Sequence, residues 1–217
     1  MSEENLLKET REFVKIQLSQ AESGHDWHHI KRVYHLALHI AKQENYSDLL
    51  LIKLGALLHD IADAKFHDGD EEIGPKIARE FLQKQNVNQE LIDEIALIIK
   101  HISFKNASQD YASKALKILQ DADRLDAIGA IGIARTFNYG GYKNREIYNP
   151  DIPPQPNQTK AEYKKSTAPT INHFYEKLLL LKDKMNTKTG FEMAKERHDF
   201  MMNFLGQFYE EWNFSGE

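Results

Sequence analysis

The spacing of apolar residues predicts an all-α protein. Apolar side chains recur at i, i+3, i+4 and i+7 along most of the chain, as in Leu54, Leu57, Leu58 and Ile61. No stretch shows the period-two alternation that a half-buried strand requires. The chain's 217 residues, 41% of them hydrophobic, can bury a full core, so the simplest organisation is a single helical domain over 1–217.

A first helix is expected over residues 3–20, where Phe13, Ile16 and Leu18 lie among charged neighbours. The segment SGHD at 23–26 reads as a turn, with Ser23 or Asp26 as the N-cap of a helix running to about Gln43. Asp48 caps the next helix, expected over 49–62. Gly69 and Asp70 mark a turn, and Gly74-Pro75 opens a helix over 75–85, proline being tolerated in a first turn. Residues 86–88 are a break, and Asn88 caps the helix over 89–102, whose stripe is Leu91, Ile95, Ile98 and Ile99. From Ser108 a long helical segment continues to Phe137. Residues 138–170 differ in composition, with paired glycines and four prolines between 150 and 156. A loop of that length in a compact domain is commonly functional. Its tyrosines argue against simple disorder, so it is expected as a lid or pocket wall, the alternatives being a variable surface loop or a dimer arm. Helix returns over 172–184. Residues 191–212 form the last amphipathic helix, with Asn186 or Thr187 as its cap.

Composition narrows the function. With no cysteine, disulfides, thiolate metal sites and cysteine nucleophiles are excluded together. No apolar run approaches the length needed to cross a bilayer, and the start lacks an apolar signal core, so the expected location is cytoplasmic, without membrane contact. A formal net charge of −5 argues against binding a nucleic-acid polymer, which demands clustered cations. It leaves small phosphorylated ligands open, since a few local cations suffice for those. A homodimer is left open too.

Three apolar helices are each interrupted by ligand-type side chains. His25, His28, His29, His35 and His39 fall in one region with Ile30, Val33, Ala37 and Ile40. His59 and Asp60 sit inside LGALLHDIADAKFHD, and Asp121, Asp123 and Asp126 fall among Leu119, Leu125, Ile128 and Ile131. On a continuous helix His59 and Asp60 lie about 100° apart and could meet one ion at its flank. An ionised carboxylate buried in such a segment requires a cation or strong donors. For an isolated His-Asp pair the ordinary reading is a core histidine bonded to its neighbour; three such interruptions together favour a metal.

Taken together, His29 of HHIKRV, the pair His59-Asp60 and Asp123 of DADRLDAIGAIG resemble the H…HD…D pattern of the HD-domain metal-dependent phosphohydrolase superfamily. HISF at 101–104, GIARTF at 132–137, INHFYEKL at 171–178 and residues 186–212 are similar to a bacterial subgroup of small stand-alone HD proteins that includes a nucleoside-triphosphate pyrophosphohydrolase. The resemblance implies an HD-type helical bundle with one long loop between the metal-site core and two C-terminal helices. It implies one divalent ion held by His29, His59, Asp60 and Asp123. His29 is chosen among its neighbours because it stands three residues before Arg32 in an HxxRV pattern, and Asp123 because it stands in an A-D-x-L setting. Two imidazoles and two carboxylates suit Mn²⁺, Mg²⁺, Ni²⁺, Co²⁺, Fe²⁺ or Zn²⁺.

Around that ion, Asp63 is the first candidate to orient or deprotonate an attacking water, against a carboxylate paired with Lys65. His101, ending an apolar helix, is a second candidate near the mouth. Arg32, Lys65, His67, His173, Lys177, Lys184, Arg197 and His198 are expected to contact phosphate, the basic series at 173, 177 and 184 sharing one helix. His25, Asp121 and Asp126 are expected to orient ligands from behind, and His35 and His39 to be hydrogen-bonded helix histidines. The expected partner is a nucleotide, cleaved to a monophosphate and pyrophosphate. The alternatives are a nucleoside monophosphate phosphomonoesterase and a non-enzymatic nucleotide sensor with a structural metal.

Overall fold

The computed structural model describes residues 2–19, 26–62, 72–102, 113–156, 158–159, 162 and 166–214. The described residues contain helices and no strand, so the fold is all-α. The chain divides into two compact units, Met1–Asp123 and Arg124–Glu217.

The first unit contains α1 (Glu3–Gln17), α2 (Trp27–Gln43), α3 (Leu49–Leu58), α4 (Ile73–Lys84) and α5 (Gln89–His101), together with most of α6 (Lys114–Asp126). Helix α3 lies at its centre, packed on α1, α2 and α5, while α4 packs on α5. That placement follows from composition: Leu51, Ile52, Leu54, Ala56, Leu57 and Leu58 are all buried, so α3 has almost no polar face to give to solvent. Side-chain caps set where the helices begin. Ser2 accepts from the Asn5 N–H at 3.3 Å, Asp26 from His29 at 2.9 Å, Asp48 from Leu51 at 3.1 Å and Asn88 from Glu90 at 2.7 Å. Of the two cap candidates before α2, Asp26 makes the bond; Ser23 lies outside the described residues.

The second unit contains α7 (Gly129–Tyr142), the short α8 (Asn172–Glu176), 3₁₀ turns at Leu178–Leu180 and Lys182–Lys184, and α9 (Lys188–Trp212). Helix α9 packs on α7, and the Thr187 hydroxyl caps it by accepting from the Gly190 N–H at 3.0 Å. Its core is aromatic: Phe174 is wholly buried, with the rings of Phe204 and Phe137 at 5.9 and 6.1 Å.

Three helices end in the same way. After α2, α4 and α7 stands an asparagine in the left-handed region, Asn45 (φ 52°), Asn86 (φ 56°) and Asn144 (φ 51°). In each case the next residue donates back into the last turn: Tyr46 to Ala41 O at 2.8 Å, Val87 to Leu82 O at 3.1 Å, Arg145 to Gly140 O at 2.9 Å. This is the Schellman arrangement, and asparagine is the usual substitute for glycine in it.

Several expected boundaries move. The helix expected over 49–62 ends at Leu58, so His59 and Asp60 stand on the turn that follows it, not in mid-helix. Ile61 still reaches the core from that turn, with its N–H directed at Leu58 O, and so fits a helical pattern without being helical. The long segment to Phe137 is broken between α6 and α7 at Gly129, whose φ of 74° is open to glycine and strained for other residues. A Cβ there would also lie 3.0 Å from the Arg197 stem. The expected loop over 138–170 starts later, because α7 runs through the paired glycines to Tyr142. Gly140 belongs to the helix, and a Cβ there would come within 2.2 Å of Thr170 Oγ1. Its glycine serves close approach to a neighbour, where the sequence suggested a break. The helix expected over 172–184 is also interrupted: Lys177 leaves helical geometry at φ −144°. The chain continues in 3₁₀ turns, whose three-residue period lets Leu178 and Leu181 both be buried.

The loop after α7 is tied to its own unit. The Thr170 N–H donates to Glu146 O at 2.8 Å, the Ile171 N–H to Ile147 O at 3.0 Å, and Arg145 Nη2 to Ser166 O at 2.6 Å. Tyr148 packs edge-on against Trp212 and Phe208.

Candidate metal centre

Asp26 capping places His29 in the first turn of α2, and the neighbouring Ile30 and Val33 draw that turn inward, leaving His29 only 1% exposed. His59 is the C-cap of α3, buried because Leu57 and Leu58 before it are buried. Its Nδ1 lies 2.9 Å from Ala56 O. A carbonyl can only accept, so Nδ1 carries the proton and the Nε2 lone pair is free to face the centre. Asp123 reaches the same point from α6, where Ala122 and Leu125 on either side are buried.

His29, His59 and Asp123 each bring a ligand atom within 4.8 Å of the others. His29 Nε2 lies 3.3 Å from His59 Nε2 and 3.5 Å from Asp123 Oδ1, and His59 Nε2 lies 3.9 Å from Asp123 Oδ1. Ligands about 2.1 Å from one ion, at tetrahedral or octahedral angles, stand roughly 3.0–3.4 Å apart. The three atoms therefore fit a single divalent ion after adjustments of a few tenths of an ångström. Asp60 stands beside this trio and outside it, with Oδ2 3.9 Å from His29 Nε2.

Charge favours the same use. Burial pushes the His59 imidazole below its ordinary value, as does the nearby His29, against the opposing pull of the Asp123 and Asp60 carboxylates. A neutral imidazole is the form that ligates. The site is not sealed, because the Asp123 side chain is 38% exposed and that of Asp60 19%.

The HD domain model matches residues 26–128, which contain all four of these residues. Bacillus subtilis YpgQ is 37% identical over 210 residues, covering 95% of this chain and 94% of YpgQ. This chain belongs to the HD-domain family. An HD-superfamily hydrolase from Bacillus thuringiensis, 41% identical, matches 99% of this chain and 100% of its own with a TM-score of 0.78. The structure of YpgQ in complex with ADP matches 100% of this chain and 98% of its own with a TM-score of 0.77, at 35% identity.

Around this HD-type centre the other expected residues fare differently. Asp63, Lys65 and His67, and His25 before α2, lie outside the described residues. Arg32 stands one turn after His29, half-buried. His101 ends α5, and its carbonyl accepts from Gln120 Nε2 at 2.9 Å, which ties α5 to α6. Asp121 is wholly buried in α6. Asp126 is paired with Arg135, Nη1 to Oδ2 at 2.6 Å. The sequence offered no signal for that partner, because the chain turns at Gly129 between the two and no helical spacing relates them.

The basic residues of the second unit are individually placed there. Lys177 and Lys184 do not share a helix with His173, since α8 ends at Glu176; Lys184 sits in a 3₁₀ turn, where its carbonyl accepts from Arg124 Nη1 at 2.5 Å. Arg197 is half-buried and donates through Nη1 to Leu125 O. Nδ1 of His198 is buried and has no hydrogen-bond partner among the described residues. His35 and His39, expected to be hydrogen-bonded, are both exposed.

Burial, with Lys177 and Arg145 adding repulsion, pushes His173 down to about 3. It is neutral at pH 7 and offers phosphate no charge. The unfolded chain takes up this proton near 6.5 and the folded chain only near 3. Stability is therefore complete above about pH 6.5 and falls as pH drops toward 3, by at most about 1.4 kcal/mol per pH unit. Thermal melting between pH 7 and 4 should show a shallower decline for His173→Asn than for the parent; parallel curves would refute the assignment.

Proposed function

We propose that this HD-family protein is a metal-dependent phosphohydrolase acting on nucleotides, and that it splits nucleoside or deoxynucleoside triphosphates between the α and β phosphorus. The observation that carries the reading is the meeting of His29, His59 and Asp123 ligand atoms within 4.8 Å in an HD-family chain. The similarity to YpgQ, whose structure holds ADP, supports a nucleotide as the ligand. The partial exposure of Asp123 and Asp60 favours a reactive centre over a sealed structural one, since a structural ion is normally enclosed by protein ligands.

In the reaction, water adds to the α phosphorus and the bond to the α–β bridging oxygen breaks, giving a nucleoside monophosphate and pyrophosphate. A divalent ion, when bound, supplies Lewis acidity that activates water and offsets charge on the phosphoryl oxygens. His29, His59 and Asp123, with Asp60, would hold it, with His59 kept in one tautomer by the Ala56 carbonyl. Asp63 is assigned the proton from the attacking water, His101 a place at the mouth, and Arg32, Lys65 and His67 contacts to phosphate. A triphosphate is preferred because each added phosphate offers charge-assisted contacts that a monophosphate lacks.

The test is a panel of ribo- and deoxyribonucleoside mono- and triphosphates with Mn²⁺, Mg²⁺, Co²⁺ and Ni²⁺, assayed separately for phosphate and pyrophosphate. Pyrophosphate with a nucleoside monophosphate as co-product is the expected outcome. Phosphate released from monophosphates alone would replace the proposal with a phosphomonoesterase, and tight nucleotide binding without turnover would replace it with a sensor.

A further inference from the structure

Besides His28 near its start, helix α2 carries two further histidines that the HD-type centre does not use. His35 and His39 are both exposed, and they stand four residues apart on a regular helix. At that spacing their Cβ atoms are about 5–6 Å apart on one face, so both imidazoles can turn toward a single point above the helix surface. The same i, i+4 relation is how a helical pair of histidines grips zinc in metalloprotease sites. The face continues without a carboxylate: Lys31 lies one turn before His35, and Lys42 and Gln43 one turn after His39.

The geometry points to a second metal site on this chain, in which His35 and His39 chelate one divalent transition-metal ion on the outer face of α2. Two neutral imidazoles with water completing the shell suit Cu²⁺, Ni²⁺, Zn²⁺ and Co²⁺, with Cu²⁺ bound most tightly. Without a carboxylate the pair does not suit Mg²⁺ or Ca²⁺, which require oxygen ligands. The site is separate from the candidate centre. His35 follows His29 by six residues, which is about 9 Å along the axis and about 120° away around it, and His29 is buried where His35 is exposed. A chelate across one turn also fixes that turn, so the ion binds the helical chain in preference to the unfolded one. Metal titrations in Ni²⁺ or Co²⁺ should accordingly count two classes of site, and titrations in Mg²⁺ one at most.

Equilibrium dialysis of the untagged full-length chain against NiCl₂, followed by elemental analysis, tests this directly. His35→Asn/His39→Asn is expected to bind one equivalent fewer than the parent, and each single substitution to lose that same equivalent, because one surface imidazole alone holds the ion far more weakly. His28→Asn, which alters another exposed histidine of α2, is expected to lose none. A second measurement needs no variant: Ni²⁺ should protect His35 and His39 from acylation by diethyl pyrocarbonate, read by mass spectrometry, while Mg²⁺ should not. Equal nickel content in the parent and the double variant, loss of the equivalent in His28→Asn, or unprotected His35 and His39 would each overturn the site.

Discussion

Asp123→Ala is expected to lose the bound ion and all hydrolysis together while the helical content stays that of the parent. The side chain supplies the one carboxylate oxygen of the close trio, 3.5 Å from His29 Nε2 and 3.9 Å from His59 Nε2, and among the described residues no other carboxylate joins the trio within 4.8 Å. Its removal takes the anionic ligand atom out of the trio and leaves two imidazoles with Asp60 at their edge, too little negative charge and too few close ligands to hold a divalent ion. His29→Ala and His59→Ala should give the same paired loss. Asp60→Ala is expected to abolish hydrolysis through metal loss as well, since its Oδ2 is 3.9 Å from His29 Nε2. Asp63→Ala separates the roles: it should keep the ion and lower turnover by about 10²–10⁴-fold, the usual contribution of a positioned base. Metal content and rate measured on the same preparations decide between these assignments. Full metal retention in Asp123→Ala would remove it from the ligand set, and equal metal loss in Asp60→Ala and Asp63→Ala would make Asp63 a ligand or a support for one.

Phe174→Ala is expected to be the most destabilising of the core truncations in the second unit. Phe174 has no solvent exposure and is the largest of the fully buried side chains among the described residues, with the Phe204 ring 5.9 Å and the Phe137 ring 6.1 Å away. Truncating such a residue costs about 3–5 kcal/mol, because the transfer energy is lost and the cavity closes only in part. For a chain of this size each kcal/mol lowers the melting temperature by about 2–4 °C, so a fall of about 10 °C is expected. Phe174→Leu, which refills part of the volume, should recover roughly half. Thermal unfolding followed by far-ultraviolet circular dichroism gives both values; a shift below about 3 °C would mean that the aromatic cluster closes around the gap.

Much of the helical segmentation was legible because its signals are local. Asp26, Asp48 and Asn88 are each a short polar residue ahead of an apolar stripe, and each makes the cap bond expected of it. Expectation and structure part where two local signals conflict. Gly140-Gly141 suggested a break, whereas Asn144 three residues later was the true stop signal; the other two asparagines that end helices, Asn45 and Asn86, show the same use. The continuation of a helix through His59 and Asp60 rested on Ile61, which is buried from a turn as readily as from a helix. The basic series at 173, 177 and 184 looked helical from its leucines, but burial of Leu178 and Leu181 is satisfied by 3₁₀ turns.

By itself, then, the sequence determined an all-helical chain, the ends of many of its helices and the residue types from which a metal centre can be built. These follow from chemistry acting over a few residues: periodic burial, orphan N–H groups at helix starts and the steric tolerance of asparagine at helix ends. Tertiary structure alone decided that His29, His59 and Asp123 meet within 4.8 Å, that Asp60 stands just outside them, that Asp126 is held by Arg135, and that His35 and His39 face outward from the helix that buries His29. The reason is distance along the chain. A helical pattern repeats over a few residues and says nothing of where another helix lies, whereas ligand atoms from three separate segments meet only because packing around α3 fixes their positions.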